Sequence, residues 1–283
     1  MNTKNILPQE PRPLLFAHRG LSSLAPENTM AAFKKAKELG IPGVELDVHL
    51  TKSGELVVIH DESIKRTGRL YDGKTVREAP DTDVENMTWD ELKQYDFGIW
   101  FGKEFAGERI PLLSEVLEVL GPDIYVDVEI KIDTLKYKAV TEKTYEVIRE
   151  NLRKYPENPD RFLVSSFNPL AVRYFSKICK TIPVSLIYDS EPETPFYIRG
   201  GKGKLICKSD VLKPCWKDYK SGTGKESWVW TVDTEELGRS LLEKGVTGLT
   251  SNRAQDLLKT VAEYRKTGQV SAADKKRGAV SAG

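Results

Sequence analysis

The sequence predicts an α/β fold, a closed (β/α)8 barrel with a small insertion after the second strand. Short apolar runs typical of strands alternate with helical patterns over most of the 283 residues. The number of these strand–helix units suits a closed barrel better than an open sheet. The length fits one such barrel, although two ordinary domains would have the same length.

The first unit begins with the apolar run LLFAH at residues 14–18. It continues into the segment NTMAAFKKAKELG at residues 28–40, where apolar residues recur at helical spacing. Asn28 or Thr29 can cap the start of this helix, and Gly40 can end it. The segment therefore predicts the first helix of the barrel.

The second unit contains two strand-like runs, GVELDVHL at 43–50 and LVVIH at 56–60, which the short segment TKSGE joins as a hairpin. Residues 61–110 interrupt the alternation, since they are first polar and then rich in aromatic residues. We interpret them as an insertion that forms a lid or side wall. The helix of this unit is then predicted at 111–121.

The later units repeat the alternation. Strands are predicted at 124–132, 161–167, 183–188, around 204–208, 227–232 and 246–250, and helices at 138–154, 169–179, 234–244 and 253–265. The sixth unit is the least regular, because little helix follows its strand. We predict a single barrel domain over residues 1–266, and the composition of residues 267–283 predicts a disordered tail.

Composition and charge exclude several classes of function. The net charge is +1, so nothing favours binding to nucleic acid or to an anionic membrane. No segment approaches the roughly 18 apolar residues of a membrane span, and the N-terminus does not resemble a signal peptide, so we expect a cytoplasmic protein without stable membrane insertion. The three cysteines show no CxxC spacing and predict neither a zinc site nor a disulfide framework.

Carboxylates occur in two neighbouring strands of the predicted barrel. Glu45 and Asp47 share one face of the second strand, because side chains alternate along a strand. Glu129 on the third strand adds a further carboxylate. A divalent cation, Mg²⁺ or Ca²⁺, would offset the repulsion among them and keep positions open for water or substrate. We therefore predict one metal site at these three residues.

Two histidines end apolar strands on the side where a barrel carries its active site. His18 ends the first strand and His60 ends the hairpin partner of the second. Such a pair can transfer protons near neutral pH, and the cations of Arg19 and Lys131 suit phosphate oxygens. This combination predicts chemistry on a phosphodiester. We expect the third histidine, His49, to be structural.

Seven short motifs occur in a fixed order along the chain. They are AHRG at 17–20, PENT at 26–29, ELDV at 45–48, LTKSGELVVIHD at 50–61, EIK at 129–131, SSF at 165–167 and WTV at 230–232. As a set, they resemble the glycerophosphodiester phosphodiesterase family over residues 14–260. The resemblance implies a (β/α)8 barrel and a divalent cation that supports hydrolysis of deacylated phospholipids to an alcohol and glycerol 3-phosphate.

The resemblance implies catalytic, metal and phosphate roles for the residues already named. From the resemblance alone, Phe167 and Trp230 would wall the pocket near the glycerol. Ser53 stands at a turn where an aspartate is common in the family. The segment TSNR at 250–253 replaces a Thr-Asp-x-Pro-like turn, so we expect a different shape for the eighth loop. Residues 189–226 match poorly, and we assign no substrate contacts to them.

The expected partner is a small glycerophosphodiester. One histidine would deprotonate the nucleophile and the other would protonate the leaving alcohol, in either order. The nucleophile would be water or the substrate's own glycerol 2-hydroxyl. One alternative is a lysophospholipase D-type enzyme, whose acyl substrate would contact the aromatic segment at 97–105. Another is a non-catalytic binding barrel, against which the complete set of histidines and carboxylates argues.

Overall fold

The computed structural model of the protein describes residues 12–132, 135–192, 194–196 and 198–267. In chain order, the strands are β1 (Leu14–His18), β2 (Gly43–Leu50), β3 (Leu56–Val58), β4 (Arg69–Tyr71), β5 (Val76–Glu78), β6 (Tyr125–Ile130), β7 (Phe162–Ser166), β8 (Val184–Tyr188), β9 (Val211–Pro214), β10 (Glu226–Val229) and β11 (Gly248–Ser251). The helices are α1 (Met30–Glu38), α2 (Trp89–Leu92), α3 (Leu113–Leu120), α4 (Tyr137–Lys154), α5 (Pro169–Ile178), α6 (Glu235–Glu243) and α7 (Ala254–Thr267). From residue 268 onward, the predicted tail lies outside the described residues.

Eight of the strands form a closed parallel barrel, which confirms the predicted fold class. Their order around the barrel is β1, β11, β10, β9, β8, β7, β6 and β2, and β2 pairs with β1 to close it. β3 is antiparallel to β2 and forms the predicted hairpin. Because all eight strands run in one direction, their carboxyl ends meet at one face of the barrel.

The prediction for the sixth strand was wrong in position. Residues 204–208 form no strand, and a 3-10 helix runs over Arg199–Leu205 instead. Gly200 and Gly201, with positive φ angles of 61° and 80°, form a kink inside this 3-10 segment. The sixth strand is β9, whose sequence VLKP carries a lysine and a proline and so lacks the continuous apolar pattern of the other strands.

The interior of the barrel is apolar at one end and charged at the other. Along β1, Leu14, Phe16 and His18 share the inward face, because side chains alternate. The ring of Phe16 stacks on Trp228 at 5.0 Å and, with Leu14, forms an apolar floor. At Gly43, a side chain would collide with this ring at 2.6 Å. The apolar floor fills one end of the barrel interior, so the polar side chains lie toward the carboxyl ends of the strands.

The insertion after the second strand has an apolar cluster of its own. β4 and β5 form an antiparallel hairpin, and α2 begins with a capping box at Thr88 and Glu91. The buried side chains beneath these elements include Val57, Ile64 and Phe97. The insertion therefore packs as a unit beside the barrel. Among the described residues, no helix has both the length and the apolar character needed to span a membrane.

Candidate active site

Three carboxylates from two neighbouring strands converge inside the barrel. Glu45 and Asp47 lie on β2, and the register between β2 and β6 places Asp47 directly beside Glu129. All three are buried, and one oxygen of each lies within 4.8 Å of the others. Burial and the charge of Asp47 raise the pKa of Glu45 well above its usual range. Hard divalent cations prefer such a set of oxygens.

One oxygen of Asp47 is buried and accepts no hydrogen bond among the described residues. This atom is Oδ1, whereas Oδ2 accepts a bond of 2.8 Å from Asn28 Nδ2 and lies 3.6 Å from Arg19 Nε. Burial raises the pKa of Asp47, but the charges of Lys131, His60 and Arg19 lower it to about 2. An ionised oxygen with a free lone pair, beside two further carboxylates, fits the donor set that Mg²⁺ or Ca²⁺ requires.

The loop after β1 directs the backbone N–H of Arg19 at this carboxylate cluster and places its guanidinium beside it. Arg19 has a left-handed backbone (φ 57°), which costs a non-glycine residue about 1–2 kcal/mol. In this conformation its N–H donates to Glu45 at 3.0 Å, while its guanidinium donates to Glu27 at 2.9 Å. Gly20 follows with φ 72°, and a side chain there would lie 2.8 Å from the Ala32 side chain of α1. The glycine therefore makes room for α1 rather than for the pocket.

The capping residues of α1 have separate tasks. Thr29 is the N-cap, and its hydroxyl accepts from the backbone N–H of Ala32. Asn28 does not cap the helix, because its side chain binds Asp47 from a left-handed backbone of φ 55°. Of the two candidate caps, one begins the helix and the other supports the carboxylate cluster.

His18 lies at the carboxyl end of β1 with its two ring nitrogens in different surroundings. Nδ1 lies 2.7 Å from Asn252 Oδ1, and Nε2 lies 3.8 Å from Glu45 Oε2. Only 14% of its side chain is exposed. Burial and the neighbouring charge of Arg19 lower the pKa of His18 from 6.5 to about 4. His18 is therefore neutral at neutral pH.

The low pKa of His18 predicts an acid-sensitive fold. An unfolded chain protonates this group near pH 6.5 and the folded chain near pH 4, so the unfolded state binds more protons in between. The free energy of unfolding should fall as the pH drops from about 6.5 to about 4, by about 3 kcal/mol from this group. Urea unfolding of the wild type and His18→Gln at several pH values measures the difference. Parallel pH curves for the two proteins would contradict the prediction.

His60 follows β3 and has a carboxylate behind it. Its Nδ1 lies 2.7 Å from Asp61 Oδ1, and its Nε2 lies 3.1 Å from Lys131 Nζ. Arg66 binds Asp61 at 2.5 Å and Glu27 at 2.7 Å, which links this histidine to the loop after β1. Although burial raises the pKa of Asp61, hydrogen bonds from His60 and Arg66 hold it well below its usual range. Asp61 therefore stays ionised beside the imidazole.

The remaining predicted residues surround one open pocket. Lys131 Nζ lies 3.0 Å from Glu129 and 5.7 Å from the centre of the Phe167 ring. Phe167 and Trp230 meet edge to face at 5.6 Å. The pocket has about 400 Å³ of empty space, including its open mouth. Its lining includes eight of the predicted site residues, namely His18, Arg19, Glu45, His60, Glu129, Lys131, Phe167 and Trp230. All the predicted site residues except Asp47 line this pocket, and Asp47 belongs to the carboxylate cluster beneath it.

Sequence reasoning missed a buried ion pair whose lysine also lines this pocket. Lys213 on β9 is 2% exposed and donates to Asp127 at 2.7 Å. Asp127 also accepts from Ser165 at 2.7 Å. The charge of Lys213 lies close enough to Glu45 to lower its pKa partly against the effect of burial. Asp127 lies two residues before Glu129 and so shares its inward face, which was a usable signal. Its partner Lys213, however, lies on β9, the strand whose position was predicted wrongly.

His49 lies beyond the carboxylate pair on β2 and contacts a backbone carbonyl group. Its Nε2 lies 3.1 Å from the carbonyl oxygen of His60. It is not part of the three-carboxylate cluster. Its bond instead ties the end of β2 to the residue that follows β3. Cys179, Cys207 and Cys215 are free thiols.

Comparison with known proteins gives one consistent family. Residues 18–256 match the model of the glycerophosphoryl diester phosphodiesterase family. A glycerophosphodiester phosphodiesterase from Caldanaerobacter subterraneus subsp. tengcongensis is 36% identical over 88% of this chain and 97% of its own length. One from Bacillus altitudinis is 32% identical over 83% and 92%. The structure of a phosphodiesterase from Oleispira antarctica, in complex with the product sn-glycerol-3-phosphate, covers 89% of this chain and 97% of its own, with a TM-score of 0.74 and 26% identity.

Proposed function

Because this chain belongs to the glycerophosphoryl diester phosphodiesterase family, we propose that it hydrolyses glycerophosphodiesters to an alcohol and sn-glycerol 3-phosphate. The observation that carries the proposal is the pocket itself. Two histidines and three cations line one space, together with two of the three clustered carboxylates. This set supplies proton transfer and phosphate binding in one place.

The carboxylate cluster supports a divalent cation as part of this function. Glu45, Asp47 and Glu129 would hold Mg²⁺ or Ca²⁺, and Oδ1 of Asp47, which accepts no hydrogen bond from the described residues, is the donor that most needs one. When bound, the cation would withdraw charge from a phosphoryl oxygen as a Lewis acid. Asn28 and the backbone N–H of Arg19 orient two of these carboxylates.

The other residues of the pocket would bind and orient the phosphodiester. Arg19 and Lys131 would donate to the phosphoryl oxygens and stabilise the charge that develops on them. His18 and His60 would transfer protons to and from the oxygens of the nucleophile and the leaving alcohol. Phe167 and Trp230 present ring surfaces on which the carbon chain of glycerol can pack.

A substrate panel tests the proposal. The assay measures release of sn-glycerol 3-phosphate from glycerophosphocholine, glycerophosphoethanolamine and glycerophosphoinositol, with Mg²⁺, with Ca²⁺ and after EDTA treatment. We expect hydrolysis of at least one diester, loss of the activity in EDTA and recovery on adding back one of the metals. Metal-independent activity would contradict the cofactor assignment, and no hydrolysis with either metal would contradict the function.

Lysophosphatidylcholine completes the panel as the test for the lysophospholipase alternative. The aromatic segment of the insertion packs largely on itself, since Phe101 meets Trp100 and Phe105 edge to face at 5.7 and 5.5 Å. None of these three rings lines the pocket. We therefore expect glycerophosphocholine to be preferred over its acylated counterpart.

A further inference from the structure

A fixed amide lies behind one of the two histidines. Asn252, in the loop after β11, places its Oδ1 at 2.7 Å from Nδ1 of His18. Asp233 accepts from Asn252 twice, at 2.8 Å from the side-chain Nδ2 and at 2.8 Å from the backbone N–H. A carboxylate without a proton accepts only, so Nδ2 of the amide must face Asp233. Its Oδ1 therefore has to face His18.

We propose that Asn252, held by Asp233, is a positioning residue that keeps the proton of neutral His18 on Nδ1. An amide oxygen accepts only, so Nδ1 must be the donor and Nε2 keeps its lone pair. Nε2 lies 3.8 Å from a carboxylate oxygen of Glu45, which by itself would favour a proton on Nε2. The Asn252–Asp233 pair is thus needed to oppose that preference and to present Nε2 as a proton acceptor.

The two histidines differ in the group behind them, and this difference assigns their roles. Asn252 offers His18 a neutral oxygen, which stabilises a positive imidazolium less than a carboxylate does. Asp61 offers His60 an ionised carboxylate at 2.7 Å. This contrast assigns the proton-acceptor role to His18, which has the amide oxygen behind it, and the proton-donor role to His60, which has the carboxylate behind it.

This assignment rests on the proposed hydrolase function. The O–H bond of the nucleophile breaks and its proton moves to Nε2 of His18, while the nucleophile oxygen bonds to phosphorus. The bond from phosphorus to the leaving oxygen breaks, and that oxygen takes a proton from Nε2 of protonated His60. Binding of the phosphate by Lys131 would draw its ammonium away from Nε2 of His60.

Imidazole ¹⁵N–¹H spectra of the ¹⁵N-labelled full chain test the tautomer without any substrate. The chain has only three histidines, so His18 is assigned by comparison with His18→Gln. In the wild type at neutral pH, with Mg²⁺ and again with EDTA, we expect a proton on Nδ1 of His18 and none on Nε2. In Asn252→Leu, we expect the proton to move to Nε2. A wild-type spectrum with the proton on Nε2 would overturn the proposal even if the enzyme is active.

Kinetics on the best substrate of the panel then test the consequence for turnover. In Asn252→Leu, we expect kcat to fall by about 10- to 100-fold with KM within twofold, because the reacting group is misdirected while the phosphate contacts remain. The double variant Asn252→Asp with Asp233→Asn restores an acceptor facing His18 and a donor between the two side chains. It should recover most of kcat.

Ser22→Ala is the matched control. The Ser22 hydroxyl also donates to Asn252 Oδ1, at 3.1 Å, but a hydroxyl can donate or accept, so it does not decide which amide atom faces it. Its removal should leave kcat and the His18 tautomer unchanged. A purely structural role for Asn252 would lower stability without moving the tautomer, and then the proposal fails. If the wild type shows the expected tautomer but hydrolyses none of the substrates in the panel, the result would count against the proposed function and not against the tautomer.

Discussion

Replacing His60 by Ala should lower kcat by about 10²- to 10⁴-fold, the range that a positioned acid or base contributes. The protein should remain folded, with a free energy of unfolding within about 1 kcal/mol of the wild type. His60 lies in the segment after β3 with 30% of its side chain exposed, and none of the apolar clusters formed by the described residues includes it. Asp61 also keeps both hydrogen bonds from Arg66. Steady-state kinetics and urea unfolding measure the two quantities.

The double variant His18→Ala with His60→Ala tests whether the two histidines act in one step. If each removal alone already disables concerted proton transfer, the double loss should be much smaller than the product of the single losses. Losses that multiply would indicate independent contributions. A well-folded His60→Ala protein with wild-type turnover would rule out the acid/base assignment.

The barrel and most of the site could be predicted because their signals are local. Along β2 and β6, charged residues alternate with apolar ones, so the charged side chains of each strand share one face. The fold turns this face of both strands toward the inside of the barrel. His18 and His60 stand at or just after apolar strands, where parallel topology gathers side chains from distant parts of the chain. A motif at a strand end therefore predicts both the chemistry of its residues and their approximate position in the barrel.

The rest depended on pairs that are far apart in sequence. Lys213 looks like a residue of a polar loop until Asp127, 86 positions earlier, is placed beside it. Asn252 lies 234 positions from His18 and had only one signal, the unusual turn TSNR. Because the energy of a buried charge or amide depends on its partner, its role cannot be read from neighbouring residues. The same dependence explains why β9 was misplaced.

Glu45→Gln should have opposite effects on stability and on function. Without metal, the substitution removes one of three buried like charges, so the free energy of unfolding should rise by about 1 kcal/mol or more. With metal, the variant lacks one ligand. The increase in stability on adding Mg²⁺, about 2.7 kcal/mol when the metal is present at 100 times its Kd, should largely disappear. Activity should fall by about 10²-fold or more. Loss of a metal ligand should cost more than loss of a residue that only hydrogen-bonds to a ligand, which typically costs about 10- to 100-fold.

Asp127→Asn is the matched control, because Asp127 lies directly beside Glu45 in the register of β2 and β6. The same chemical change here leaves the ammonium of Lys213 buried without its carboxylate, so stability should fall by about 3–5 kcal/mol with or without metal. Urea unfolding of both variants, with EDTA and across a titration of Mg²⁺ or Ca²⁺, measures the free energy of unfolding of each variant with and without metal. Two neighbouring buried carboxylates should thus respond in opposite directions, one because it repels its neighbours and the other because it is paired. Equal destabilisation of both variants, with an unchanged response to metal, would mean that Glu45 is not a metal ligand.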